Sequence, residues 1–202
     1  MTSTDLHNFL QTRRSVRRFK PDAVPDSVIK KILTTATFAP SAHNRQPWRF
    51  VVLMDVPVKE KLADAMAMDF QRDLEHDGLP SEQIQAQVKR SKKRITSAPL
   101  LIMLCLDMSE MDVYPDAKRK KAEYLMAVQS TANAGMQLLL AAHAEDLGGV
   151  WVCSPLFTQE TVQKVLELPK SWEPQGMFYM GYPEVIPEAR ERKTLMSIAV
   201  SR

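Results

Sequence analysis

Residues 40–48 read Pro40-Ser41-Ala42-His43-Asn44-Arg45-Gln46-Pro47-Trp48. Prolines at 40 and 47 fix φ and remove an N–H, so no helix runs through the stretch. Between them, Ser41, His43, Asn44 and Gln46 can each donate and accept hydrogen bonds. A connector built only to turn the chain favours glycine and aspartate. Amides and a hydroxyl suit instead the edge of a planar polar heterocycle.

Outward from this loop the pattern changes on both sides. Upstream, Val28, Ile29, Ile32, Leu33 and Ala36 fall at helical spacing after Asp26, which predicts a helix ending before Pro40. Downstream, Trp48 to Met54 is a strand-forming run. Nearer the start stands Arg13-Arg14-Ser15-Val16-Arg17-Arg18-Phe19, a charge density that needs a partner. A solvated basic turn would account for it. A phosphate grip would too, since guanidinium forks bind phosphate bidentately and Ser15 adds a hydroxyl. A second group, Arg190, Arg192 and Lys193, lies in a tail without helical pattern, which favours the phosphate reading.

The bulk numbers bound the class. The 202 residues suffice for one full core, and 45% hydrophobic with 25% charged residues is ordinary for a globular chain. With 27 basic and 24 acidic residues, the net charge of +3 gives no global footprint for nucleic acid. The runs Lys89 to Arg94 and Lys118 to Lys121 carry no aromatics for base stacking and read as wet helix surfaces. Cys105 and Cys153 sit in apolar strand-like runs, which reads as two buried, reduced thiols in a cytoplasmic protein, with a disulfide as the competing reading. Met1 to Leu10 shows no export signal. Leu125 to Ala144 is apolar but interrupted by Gln129, Ser130, Thr131, Asn133 and Gln137, so it reads as a packed helix, not a membrane span.

In order, the pattern predicts a short first helix capped by Thr4 or Asp5, with Leu6, Phe9 and Leu10 on its buried face. Helices follow over Lys59 to Glu75 and Ser81 to Ile95, and a strand buried on both faces over Leu100 to Leu106. A long helix from Ala117 to Glu145 stops at Gly148-Gly149. Val150 to Cys153 is a short strand, Thr158 to Leu166 a short helix, and Gln175 to Tyr182 the last clear strand. Strands separated by helices point to a layered α/β or α+β domain. Walker, GxGxxG, CxxC, HExxH and GxSxG motifs are absent. The histidines at 7, 43, 76 and 143 show no metal-ligand spacing. Met66, Met68 and Phe70 read as core, or as an adaptable pocket wall for flat molecules.

Taken together, the arginine run at 13–19 and the loop at 40–48 resemble the nitroreductase family of FMN enzymes. The resemblance continues through Leu147-Gly148-Gly149-Val150-Trp151 and Met180-Gly181-Tyr182-Pro183 to the arginine tail. In spacing it is closest to the branch that includes the flavin-binding C-terminal domain of deazaflavin-coenzyme γ-glutamyl ligases. It implies an α+β fold, with three layers around a central mixed β-sheet, working as an intertwined homodimer. Residues 1–202 would form a single domain, with a helical active-site cover at about 69–95 that sets substrate choice.

The same resemblance implies the site. Arg13, Arg14, Ser15 and Arg17 would hold the phosphate, ribityl chain and pyrimidine edge of FMN. Pro40, Ser41 and Asn44 would come from the partner subunit, with Gln46 supporting the loop. The backbone at Gly148 and Gly149 would approach the flavin ring, and Arg190 and Arg192 would close over the phosphate. Glu191, between them, could pair with one. The implied activity is FMN-dependent transfer of hydride from NADH or NADPH to a flat electron-poor small molecule, by a ping-pong mechanism. Nitroaromatics, quinones and unsaturated metabolites are the candidate acceptors. The cofactor carries that chemistry, so no side chain is nominated as catalytic. A reductase of a deazaflavin-coenzyme precursor, or a flavin-storing or sensing protein without turnover, are the alternatives. No metal, nucleic acid or membrane enters the reading.

Overall fold

The structure, a computed structural model, describes residues 2–202. Helix α1 (Ser3–Thr12) opens with a capping box, because Thr2 and Asp5 satisfy each other's backbone N–H. The cap is thus two or three residues earlier than the pattern predicted. Helix α2 (Asp26–Ala36) begins after Pro25, whose fixed φ and extended ψ replace a side-chain cap at Asp26. Strand β1 (Trp48–Leu53) follows the central loop, then α3 (Val56–His76), capped by Asp55, and α4 (Ser81–Ser97). Next come β2 (Leu100–Asp107) and α5 (Ala117–Ala144), capped by Asp116. Strand β3 (Gly148–Val152), α6 (Gln159–Val165) and β4 (Trp172–Gly181) complete the regular elements.

The sheet order is β1-β2-β4-β3. Every pair of named strands is antiparallel. The expected mixed sheet is corrected accordingly. The parallel pairing is a single bridge, Ser15 to Gly149, made by the arginine segment and not by a named strand.

Strand β2 explains the layering. All eight of its residues are buried, and because side chains alternate they divide between two cores. Leu100, Ile102 and Leu104 join Phe178 and Met180 against α2 and α5. Leu101, Met103 and Cys105 join Met177 and Tyr179 against α3, α4 and α6. The outcome is α+β in three layers.

Three local expectations change. Leu6 and Leu10 on α1 are exposed, and nothing on the helix is buried, because no other part of the chain covers that face. Cys105 is buried, with its thiol pushed up to about 12 by desolvation, but Cys153 is exposed just past β3. Both are free thiols. Met66 is core while Met68 is exposed. Gly135 on α5 faces Trp151 of its own chain: an added Cβ would lie 2.5 Å from the indole, so this small residue serves internal packing. No helix among the described residues is long and apolar enough to cross a membrane.

Candidate functional site

The arginine segment is held in place by main chain. Val16 donates its N–H to the carbonyl of Gly149 at 3.1 Å, and Lys20 donates to Tyr182 at 2.9 Å. Side chains from 13 to 17 therefore project from a strip laid beside β3 and the end of β4. Gly148 permits this approach. A Cβ there would sit 2.7 Å from Val16 Cβ, closer than real Cβ contacts come.

Folding brings the two predicted arginine groups together. Arg13, Arg14, Ser15 and Arg17 line one cleft of about 180 Å³ with Arg190 and Arg192. Among the described residues, none of these arginines has an ion-pair partner. Glu191 pairs with neither neighbour; Glu188 is the carboxylate at the cleft. Burial, and then Arg192 and Arg14 alongside, pull the Arg13 guanidinium below its usual value. A crowd of like charges, partly desolvated and uncompensated, is unfavourable until an anion arrives. Arg14 is also engaged locally, with Nη1 donating to the Gln11 carbonyl at 2.6 Å.

A larger cleft, about 370 Å³, continues past Arg13 and Arg14 between His143 on α5, Gly148, Gly149 and Ile186. His143 is a residue the sequence did not single out. Its ring stacks on Phe9 at 4.8 Å, and Nε2 lies 3.0 Å from Thr12 Oγ1. Burial holds its pKa below the ordinary value. It joins α1 to α5 beside the arginines.

On the other side of Arg17 is a pocket of about 200 Å³, lined by Phe70, Gln87, Arg90, Arg94, Val152 and Tyr179 among others. The part of β3 that reaches Arg17 here is its last residue, Val152, with Ser154 just beyond it, while Gly148 and Gly149 lie toward Arg13 and His143. The position of Val152 and Ser154 carried no signal in a sequence without glycine or a charged group there.

The loop at 40–48 is elsewhere. Pro40, Ser41 and Ala42 line a separate cleft with Met126, Gln129 and Asn133 of α5. The loop is tied down: Ala42 N–H donates to Ser130 Oγ at 3.1 Å, and Asn133 donates to the Pro40 carbonyl at 3.2 Å. Gln46 supports it from within, donating from its backbone to Ser41 Oγ at 3.1 Å and from its side chain to Asn44 Oδ1 at 3.3 Å. His43, Asn44 and Gln46 all have positive φ (49°, 55° and 51°), a costly geometry for residues with a Cβ. Neither the cleft lined by this loop nor the arginine cleft includes residues of the other.

The nitroreductase family model matches residues 10–182. The chain belongs to the nitroreductase family. It is 28% identical over 193 residues to a Methanothermobacter thermautotrophicus protein that carries the name NADH dehydrogenase/NAD(P)H nitroreductase, covering 95% of this chain and 84% of that one. It is 30% identical over 193 residues to an iodotyrosine deiodinase of Haliscomenobacter hydrossis, covering 90% and 80%. A crystal structure of a nitroreductase-named protein from Desulfovibrio desulfuricans, in complex with FMN, superposes with a TM-score of 0.75 at 24% identity over 100% of this chain and 98% of that one. The family match takes in the arginine segment and β4 and ends before Arg190 and Arg192.

Proposed function

We propose that this nitroreductase-family chain is an FMN-dependent oxidoreductase that takes hydride from NADH or NADPH and passes it to a flat, electron-poor small molecule. The observation that carries the reading is the convergence of Arg13, Arg17, Arg190 and Arg192 on one cleft with no carboxylate paired to them. That donor set fits a phosphate monoester: guanidinium forks and the Ser15 hydroxyl match its oxygens. FMN in the Desulfovibrio protein, and NAD(P)H in the name of the Methanothermobacter one, support the choice of cofactor and reductant.

Arg13, Arg190 and Arg192 would take the phosphate, and Ser15 and Arg17 the polyol and the pyrimidine edge. The main chain at Gly148 and Gly149 packs the arginine strip, while Val152 and Ser154 line the pocket on the other side of Arg17 and would face the ring if it extends there. When bound, FMN supplies reversible two-electron chemistry that no side chain of this protein can. The chain's own task is to orient it, exclude water and shape the acceptor's berth. Helices α3 and α4, at about 69–95, wall that berth through Phe70, Gln87 and Arg94.

The working form in this reading is an intertwined homodimer. The loop of Pro40, Ser41 and Asn44, strained at Asn44 and anchored on α5, lines a cleft of its own apart from the arginines. The tail supports the same reading: Leu195, Met196, Ile198 and Val200 are 65–93% exposed. Strand β1 is a sheet edge beside an apolar groove of about 570 Å³ lined by Ile29, Leu33, Phe50 and Val52. The deciding experiment is an absorbance spectrum of purified protein, then anaerobic addition of NADH or NADPH. A yellow protein that bleaches is expected. A colourless protein that gains no colour with added FMN would falsify the reading.

A further inference from the structure

The pocket beside Arg17 has chemistry that the cofactor reading leaves unused. Gln87, Arg90, Ser91 and Arg94 lie at helical spacing on one face of α4 and turn toward it. Neither Arg90 nor Arg94 forms an ion pair among the described residues, although Lys92 of the same helix pairs with Asp64. Opposite them is Tyr179, buried on β4, whose hydroxyl has no hydrogen-bond partner among the described residues, with Arg94 near enough to act on it electrostatically. Phe70 and Val152 supply the apolar walls. The lining contains no acidic residue.

A volume of about 200 Å³ with two apolar walls, two free guanidinium groups and an idle phenol suits a single ring carrying an acid group. We propose that Arg90 and Arg94, with Tyr179 donating, hold the carboxylate of an aromatic acid, so that the acceptor class is anionic aromatics rather than neutral ones. The proposal rests on the FMN reading, because Arg17 places this pocket next to the ring. It concerns the acceptor and not the dinucleotide, whose 2′-phosphate is separated from its nicotinamide by two riboses and a pyrophosphate. An acid group in so small a pocket must lie close to the reacting ring.

The test compares 4-nitrobenzoate with its methyl ester as acceptors, for the wild-type holoenzyme and the Arg90→Gln/Arg94→Gln variant. The acid-to-ester ratio of kcat/KM is expected to fall roughly 10- to 100-fold, the loss of charge-assisted hydrogen bonds. An unchanged ratio overturns the proposal. So does a change confined to the NADPH-to-NADH ratio, or a loss of flavin that lowers acid and ester turnover alike. A second measurement needs no variant: benzoate and benzamide are titrated into wild-type holoprotein and followed by the flavin spectrum. Benzoate is expected to bind at least about tenfold more tightly, weakening with salt; equal affinity overturns the proposal. A yellow, reducible protein with no preference for the acid removes this inference alone, whereas a protein that takes no flavin removes the reading beneath it.

Discussion

Val16 and Gly149 are joined by a backbone hydrogen bond of 3.1 Å, and Gly148 presses its bare Cα against the Val16 side chain. Two segments far apart in sequence are thereby locked so closely that one methyl group between them has no room. The arginines on either side of Val16 take their direction from that lock.

Gly148→Val should therefore injure the site through the main chain. Its branched side chain must displace Val16 and the strip that carries Arg13 to Arg17. Overpacking of this kind costs about 1–3 kcal/mol. A lowered melting temperature together with weakened FMN binding is expected, from thermal denaturation and flavin titration. Wild-type flavin affinity in a destabilised variant would separate the lock from the site.

Arg13→Gln should show opposite signs in the two states. Without ligand, the change relieves a partly desolvated charge next to Arg192 and Arg14, so the apoprotein is expected to melt no lower than wild type. With ligand, a charge-assisted bond worth about 1.5–3 kcal/mol is lost, a roughly 10- to 100-fold weakening of FMN binding. Calorimetry of apo and holo forms checks both. An apoprotein clearly destabilised by the change would mean that Arg13 is structural.

Protonation of His143 should loosen α1. Burial leads the causes that lower its folded pKa, so above the ordinary histidine value of 6.5 the neutral ring is present in folded and unfolded chains alike. Below 6.5 the unfolded chain takes up a proton that the folded one resists. Stability from the Phe9 and Thr12 contacts is thus present above that pH and lost as pH falls toward the folded value. Hydrogen exchange of the α1 amides should rise on acidification from pH 7 to 5, and His143→Phe should flatten the dependence.

Mixed dimers test which chain the loop at 40–48 serves. One subunit carries Asn44→Arg and the other Arg17→Ala. If each site draws on both chains, one site holds both lesions and the other neither, so about half the flavin binds with wild-type affinity. Two equally weakened sites would assign each loop to its own chain.

A shared berth for reductant and acceptor gives parallel double-reciprocal lines as acceptor concentration is varied. Intersecting lines would require both molecules to be bound at once.

Much of this molecule was legible in its sequence, and unevenly so. The uninterrupted run from Leu100 to Leu106 foretold a strand buried on both faces, because only apolar side chains suit two cores. It did not reveal an antiparallel sheet, since strand direction depends on how distant strands return. The arginines at 13–17 and at 190–192 were each visible as local charge excess; that they share a cleft is a product of the tertiary fold. Leu6 and Leu10 looked like a buried face because periodicity reports amphipathicity and not what covers it. Val152, Ser154 and Tyr179 escaped notice, being a valine, a serine and a tyrosine of no special spacing. His143 was passed over for want of metal-ligand spacing, although its partners Phe9 and Thr12 lie near the other end of the chain.

The strand order β1-β2-β4-β3 also sets a timetable for the nascent chain. Strand β2 is apolar from Leu100 to Leu106, yet its partner β4 is made only after α5, β3 and α6 have left the ribosome. Until then one edge of β2 has no neighbour, and Leu100 to Leu106 form a sticky, unprotected ribbon. Synthesis at ordinary speed leaves that ribbon bare for seconds. Premature termination between β2 and β4 would release fragments that aggregate and do not fold. Chaperone demand should therefore be greatest while α5 is being made, and ease abruptly once Gly181 emerges.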